Sequence, residues 1–194
     1  AVSARANGDL VFVWADYGGS DGSSYGVYGR RFNAGTGTFS DTFVVSTTTA
    51  GAQYEPSVAT FADGSFVVVW RSDGTDGSGA GVYGQRFDSS GVKAGSQFLV
   101  NQTTTSNQYQ PHVTALSTGG FVVTWYSDWY DASGSGSYND VYLREYDAAG
   151  AALGGEVKLA SAPGSASDVE SQPVVADLGG GRYVVTYTDT TSDA

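Results

Sequence analysis

The stretch "SFVVVWRSDGTDGSGAGVYGQRFD", Ser65 to Asp88, decides the fold. Its first part, "FVVVW", is apolar at every position, and a strand has that pattern when both of its faces are buried. An acidic, glycine-rich turn follows, and then "VYGQRF" alternates side chains between two faces, as a half-buried strand does. The stretch therefore predicts a β-hairpin whose first strand is sandwiched between two layers.

The apolar segment recurs along the chain. "LVFVW", "FVVVW", "FVVTW" and "YVVTY" are spaced by 56, 55 and 62 residues, and they end at Trp14, Trp70, Trp125 and Tyr187. A second marker is spaced by 55 and 62 residues, and its copies "QYEP", "QYQP" and "ESQP" end at Pro56, Pro111 and Pro173. Two independent markers share one period, which establishes an internal repeat.

Each unit contains four short strand candidates between turn signals, and no helical period is present. Four antiparallel strands per unit of this length are typical of a propeller blade. We therefore predict an all-β, β-propeller-like array of four-stranded antiparallel blades, with about three and a half units in one repeat domain. The units cover residues 1–55, 56–110, 111–172 and, in part, 173–194, and we expect the chain to be an excerpt of a longer one. A linear stack of β-sandwich or solenoid units is the alternative.

Composition excludes several classes of function. The 194 residues carry a net charge of −11, which argues against nucleic-acid binding because phosphate neutralisation needs clustered Lys and Arg. The chain has no cysteine, so disulfides and thiolate metal sites are absent. No apolar run reaches the length of a membrane span, and membrane insertion is not expected.

Four motifs carry a family resemblance: "GGFVVTW" (119–125), "DGSGAGVYGQRFD" (76–88), "FLVNQTT" (98–104) and "NQYQPHVTAL" (107–116). They resemble tandem repeats of giant RTX-type, or haemolysin-type calcium-binding, bacterial exoproteins and adhesins. The resemblance implies a secreted or cell-surface location in bacteria, calcium dependence and adhesive or surface-layer roles, with no enzymatic activity. The nonapeptide calcium repeat of that family is missing from the sequence.

The acidic turns are the candidate metal sites. Calcium binds six to eight oxygen ligands, and Asp-Gly-Ser loops supply carboxylate, hydroxyl and carbonyl oxygens together. The candidate ligands are Asp16, Asp21, Asp73, Asp76, Asp128 and Asp131. The alternative is structural, since Asp in a tight turn accepts hydrogen bonds from nearby backbone N–H groups.

The longer loop of the third unit is the candidate contact site. It places Trp129 and Tyr130, and later Tyr138 and Asn139, among aspartates. Aromatic faces beside polar side chains suit stacking on a sugar ring, and they equally suit a protein interface or local packing.

The functional prediction is a non-enzymatic extracellular structural or surface-assembly protein, such as a scaffold, sheath or filament subunit or an adhesin segment, with calcium as a stabilising ion. Its predicted partners are copies of itself, other surface proteins and glycans. A carbohydrate-binding adhesin module that uses the aromatic loop is the alternative. A propeller glycosidase is disfavoured because no pair of carboxylates is singled out, and the single histidine, His112, has unlike counterparts in the other units.

Overall fold

The computed structural model describes residues 1–18, 25–48, 50–130, 137–159 and 170–189. Within these ranges every regular element is a strand, and no helix could span a membrane. The strands are β1 (Val2–Ala4), β2 (Leu10–Tyr17), β3 (Tyr25–Asn33), β4 (Thr38–Phe39), β5 (Phe43–Val44), β6 (Gln53–Thr60), β7 (Phe66–Asp73), β8 (Ala80–Phe87), β9 (Lys93–Leu99), β10 (Gln108–Ala115), β11 (Phe121–Tyr130), β12 (Ser137–Tyr146), β13 (Val157–Leu159), β14 (Glu170–Gly179) and β15 (Arg182–Asp189).

The strands form four antiparallel sheets in chain order. The first contains β1 to β4 with β5 also paired to β3, the second β6 to β9, the third β10 to β13 and the fourth β14 and β15. Each sheet after the first begins three residues before the unit boundary drawn on the sequence, at Gln53, Gln108 and Glu170. The proline marker thus lies inside the first strand of a blade.

The sheets are arranged around an axis. Their first strands, β1, β6, β10 and β14, all contribute residues to the wall of one pocket. A linear stack would separate the first sheet from the fourth and could not bring these strands together. The predicted propeller-like array of blades is therefore confirmed, and the linear alternative is wrong.

Neighbouring blades bury each other through the two-faced second strand. In β7, Phe66, Val68 and Trp70 pack against the first blade, with Val11, Val13 and Val27 opposite them. Val67 and Val69 of the same strand face the third blade. These five consecutive side chains are at most 1% exposed. This is why "FVVVW" is apolar at every position.

At the outer rim, arginines join one blade to the next. Arg31 donates to the carbonyl of Ser89 at 3.2 Å, and Arg86, its counterpart in the second unit, donates to the carbonyls of Ala148 at 2.6 Å and Ala149. The third unit has Glu145 after its arginine, and this carboxylate accepts a 2.5 Å hydrogen bond from the hydroxyl of Tyr183. Each of the first three blades therefore contacts the next one through a side chain at this position, although the third uses a carboxylate and a different part of its neighbour.

The blades differ at one cross-strand pair. In the first two blades a glycine on the third strand faces a phenylalanine on the neighbouring strand. Gly84 pairs with Phe98 in the second blade, as Gly29 pairs with Phe43 in the first. A Cβ added at Gly84 would lie 2.5 Å from the Phe98 ring, so the glycine makes room for it. In the third blade the same pair is Leu143 and Val157. A larger residue on one strand is thus matched by a smaller one on the other.

This exchange predicts the outcome of a double-mutant cycle. Gly84→Leu alone should destabilise the protein by about 1–3 kcal/mol because the site is overpacked. Adding Phe98→Val should recover at least about 0.5 kcal/mol of that loss, since the pair then matches the third blade. Denaturant unfolding of the four proteins measures the coupling, and strict additivity would contradict the packing argument. Gly154→Ala, where an added Cβ meets nothing within 4 Å, is the control.

Candidate functional site: the axial pocket and the tyrosine belt

The pocket on the axis, hereafter the axial pocket, has a volume of about 350 Å³. Each described blade contributes the start of its first strand to the wall. The residues that define it are Ala1, Val2, Glu55, Pro56, Ser57, Val58, Gln110, Pro111, His112, Gln172, Pro173 and Val174. The pocket is therefore built from the proline markers of three successive units.

Each marker holds a strained residue at the pocket. Glu55, Gln110 and Gln172 have φ values of 53°, 49° and 54°, although each precedes a proline, which favours an extended conformation. The strand register shifts at all three positions, so each residue lies in a β-bulge. A bulge re-aims side chains, and strained backbone of this kind clusters at functional sites.

Glu55 contributes the carboxylate of the axial pocket. Its Oε2 atom accepts a 2.7 Å hydrogen bond from the backbone N–H of Gln110 in the next blade, while its side chain is exposed. His112, which also lines the pocket, accepts a 3.4 Å hydrogen bond from the Val175 N–H at Nδ1. Burial lowers the pKa of His112, so the ring is neutral at pH 7. Within the described residues, no lysine or arginine lines this pocket.

A row of aromatic side chains, hereafter the tyrosine belt, lies beside the pocket at the same edge of three blades. Cross-strand pairs build it within each blade: Tyr17 with Tyr25, Tyr54 with Arg71, and Tyr109 with Tyr126. Ring centroids are 5.0 Å apart for Tyr17 and Tyr25, and 5.2 Å for Tyr109 and Tyr126. Between the first two blades, Tyr25 and Tyr54 are 4.8 Å apart. The belt is therefore continuous across the blade boundaries.

Arg71 joins the second blade to the third. Its guanidinium carbon lies 5.4 Å from the ring centroid of Tyr54 and 4.5 Å from that of Tyr109, within cation–π range of both. Asp73 accepts from its Nε at 3.0 Å and pairs with its second nitrogen at 2.9 Å. The carboxylate thus fixes the guanidinium between the two rings and compensates its charge.

Asp128 anchors the third blade's part of the belt. This aspartate is 8% exposed and accepts hydrogen bonds from the backbone N–H of Asn107 at 2.7 Å and from its side-chain amide at 3.1 Å. The Tyr109 hydroxyl donates to it at 3.3 Å. Burial, and next the charge of Asp128, raise the pKa of Tyr109 to about 12. Burial also raises the pKa of Tyr126, with Glu55 and Asp128 acting in the same direction.

The predicted calcium ligands do not come together in the described structure. Asp73 pairs with Arg71 and Asp128 anchors Asn107, while Asp76 accepts hydrogen bonds from the N–H groups of Ser78 and Gly79 as a turn residue. Asp16 lies in β2 opposite Gly26. Asp21 and Asp131 lie outside the described residues. Among the described residues no group of three His, Cys, Asp or Glu side chains could hold a metal, and calcium binding stays a prediction.

The predicted contact residues of the third unit lie in strands and not in an irregular loop. Trp129 pairs with Tyr138 and Asp128 with Asn139, while Tyr130 is the last residue of β11. The ladder thus extends the hairpin beyond its counterparts in the other blades. The side chains of Trp129, Tyr130 and Tyr138 lie outside the described part of the chain, and their contact role stays a prediction.

Sequence reasoning used "QYEP" as a spacing marker and missed its function. The glutamine is buried and donates to two carbonyls of the preceding loop, at 3.1 Å and 2.9 Å from Gln53. The tyrosine joins the belt, the glutamate lines the axial pocket, and the proline lies with the glutamate in the bulge. The sequence contained a signal for this role. The first marker, "QYEP", has a glutamate at the position where the second marker, "QYQP", has a glutamine.

No family model matches the chain, and no curated protein matches it. Solved structures share its fold. An endo-arabinase from Bacteroides thetaiotaomicron has a TM-score of 0.57 at 17% identity, with 96% of this chain and 68% of the other covered. An α-L-arabinanase from Penicillium chrysogenum complexed with arabinobiose has a TM-score of 0.65 at 17% identity, covering 97% and 56%. A Hadza microbial sialidase has a TM-score of 0.62 at 11% identity, covering 97% and 43%.

These comparisons correct the functional prediction. The chain spans between 43% and 68% of the length of those three proteins, and all three are enzymes that are named for carbohydrates. The assignment to a non-enzymatic surface-assembly protein or adhesin module is therefore wrong, and so is the exclusion of an enzyme. The error came from reading a repeat as evidence of structural function, although a repeated blade also builds an axial site. The resemblance to RTX-type exoproteins is not tested by these structures.

Alkaline titration tests the burial of the tyrosines. Tyr109, Tyr142, Tyr146 and Tyr183 each have a pKa raised to about 12, with burial as the main cause. Because unfolded tyrosine ionises near pH 10, the stabilisation is complete below pH 10 and is lost as the pH rises towards 12. The melting temperature should fall across that window. It should fall less steeply for Tyr109→Phe, and an identical slope would contradict the assignment.

Proposed function

We propose that the chain belongs to a carbohydrate-active enzyme that binds a glycan along the tyrosine belt and hydrolyses it at the axial pocket. The observation that carries this proposal is the position of Glu55, an exposed carboxylate on a strained bulge, directly after Tyr54 of the belt. The fold shared with the endo-arabinase and the arabinanase supports it.

The belt suits sugar binding because a tyrosine offers an apolar ring face and a polar hydroxyl. Tyr54 and Tyr109 precede the axial residues Glu55 and Gln110 in sequence, so a glycan that lies along the belt reaches the mouth of the pocket. The amides of Gln110 and Gln172 can donate to and accept from sugar hydroxyls. In particular, Oε1 of Gln110 is buried without a hydrogen-bond partner among the described residues.

Glu55 is the group to which we assign proton transfer. In glycoside hydrolysis a carboxylic acid gives its proton to the departing glycosidic oxygen as the bond from that oxygen to the anomeric carbon breaks, and a water molecule adds to the carbon while a second carboxylate takes the proton that the water loses. One oxygen of Glu55 is fixed by the Gln110 N–H, which orients the carboxyl group. Asp73, which lies beside Arg71 of the belt and has 39% of its side chain exposed, is the residue that we propose as the second carboxylate.

A polysaccharide substrate implies work outside the cell, so this proposal includes export. The acidic net charge of −11 and the lack of cysteine are compatible with an extracellular bacterial protein.

The substitution Glu55→Gln tests the proton transfer. The same strained position carries glutamine in the next two units, at Gln110 and Gln172, so the variant should fold as the parent does. Loss of general acid catalysis should lower kcat on the hydrolysed polysaccharide by about 10²–10⁴-fold, with KM little changed. Reducing-sugar release from a panel of dye-coupled plant and bacterial polysaccharides gives the rates.

Matched variants make this test specific. Gln110→Glu moves the same carboxylate to the equivalent place in the next blade, and combined with Glu55→Gln it should not restore the rate if position matters. Tyr109→Phe keeps the stacking face and should change KM by less than Tyr109→Ala does. An unchanged kcat in Glu55→Gln, or no turnover and no binding across the panel, would contradict the proposed function.

A further inference from the structure

The fourth sheet has an open edge. In each of the first three sheets the second strand is paired on both sides, as β7 is with β6 and β8. In the part of the chain that the structure describes, β15 is paired with β14 alone. A strand at a sheet edge presents a row of backbone N–H and C=O groups, and another strand can add to it there.

An apolar groove, hereafter the edge groove, lies between β15 and the strands β12 and β13 of the third blade. Its volume is about 540 Å³. Its apolar wall is formed by Leu143, Val157 and Leu159 of the third blade and by Tyr183, Val185 and Tyr187 of β15. Several of these side chains also belong to the apolar core between the third and fourth blades. The edge groove therefore continues an interface that the protein already uses.

In the second and third blades the corresponding place is filled by the third strand of the blade. Phe66 of β7 stacks on Phe87 of β8, with ring centroids 4.7 Å apart and planes at 6°. Phe121 of β11 stacks on Tyr146 of β12 in the same way, at 4.6 Å and 3°. Tyr183 has the equivalent position in β15, since "YVVTY" aligns with "FVVVW" and "FVVTW".

The same rings also cover the blade before. Phe87 lies 5.4 Å from Phe43 of the first blade, and Tyr146 lies 5.4 Å from Phe98 of the second. The counterpart of these two phenylalanines in the third blade is Val157, which is 51% exposed. Apolar side chains that are exposed side by side mark interaction surfaces, and Tyr187 on the other wall of the edge groove is 37% exposed.

The filled places indicate what the edge groove accepts. The third strand supplies two aromatic rings on one face, four positions apart: Tyr83 and Phe87 in β8, and Tyr142 and Tyr146 in β12. Their cross-strand partners are the last and first residues of the apolar segment of the second strand. The matching occupant is an extended strand with aromatic residues at the same spacing.

We propose that the open edge of β15 and the edge groove bind such a strand from another polypeptide. The strand pairs antiparallel with β15 and places its two rings over Tyr183 and Tyr187. Backbone hydrogen bonds along the edge supply affinity, and the two rings supply selectivity, as in other cases of strand addition. None of the described residues of the edge groove lines the axial pocket, so this inference goes beyond the proposed function and does not depend on it.

The probe is a fluorescent peptide, capped at both ends, with the sequence of residues 80–88. Its one arginine and one aspartate cancel, so net charge does not drive its binding. We expect its fluorescence anisotropy to rise and saturate as the whole chain is added. Replacing Tyr83 and Phe87 of the peptide by serine should weaken binding by about tenfold or more, because two aromatic rings are then no longer buried.

Two variants of the protein locate the binding surface. Val157→Asp should weaken binding by about tenfold or more, since the docked strand would bury an unpaired carboxylate. Val92→Asp, at a valine of the second blade that is 62% exposed, adds the same charge and should leave the affinity unchanged. Hydrogen–deuterium exchange of the complex should show new protection of the amides of β15.

Several results would overturn the proposal. They are no binding of the peptide, equal binding of the serine peptide, an equal effect of the two variants, or protection confined to strands other than β15. Sedimentation of the chain alone tests a second copy as the occupant. A dimer that Val157→Asp dissociates would show that the edge groove is used for self-association, and would also overturn the proposal.

Discussion

The burial of each second strand between two neighbouring blades is the constraint on which this structure depends. In the second blade, one neighbour covers Phe66, Val68 and Trp70, and the other neighbour covers Val67 and Val69. Both faces of this strand are therefore buried. A sheet buried on both faces must be covered by further sheets, and the propeller-like arrangement supplies them by repetition. With the faces used for packing, the strand edges at the axis and the hairpin ends are the places where polar chemistry can be displayed.

That division of labour explains the location of the candidate site. Glu55 and Gln110 follow the buried glutamines Gln53 and Gln108, and Gln172 follows the buried Glu170. Each of the three axial residues precedes a proline, so the bulge that strains Glu55 is held from both sides. The belt uses the ends of the paired strands, where cross-strand neighbours meet and where Tyr25 and Arg71 reach the next blade. A strained, exposed carboxylate is tolerated at the axis because the apolar layers supply the stability elsewhere.

The sequence predicted the architecture better than the site. Period, strand number and the two-faced burial of "FVVVW" follow from apolar pattern, which one chain displays in full. The site depends on side chains from different units that meet in space, such as Arg71 between Tyr54 and Tyr109, and spacing along the chain does not express such meetings. The acidic turns were predicted to bind calcium because they are rich in oxygen ligands. In the structure Asp73 pairs with Arg71, and Asp128 accepts a hydrogen bond from Asn107. Glu55 was overlooked because it is embedded in a marker that is useful for alignment.

The repeated bulge has a consequence for how such a protein changes over time. Glu55, Gln110 and Gln172 occupy one backbone conformation in three blades, and glutamine and glutamate have nearly the same shape. A reactive carboxylate can therefore be moved around the axis, duplicated or silenced by exchanging an amide for an acid, with no new loop and no repacking. The repeat thus provides several equivalent positions for a reactive side chain, and the substrate or the reaction can diverge while the scaffold is left intact.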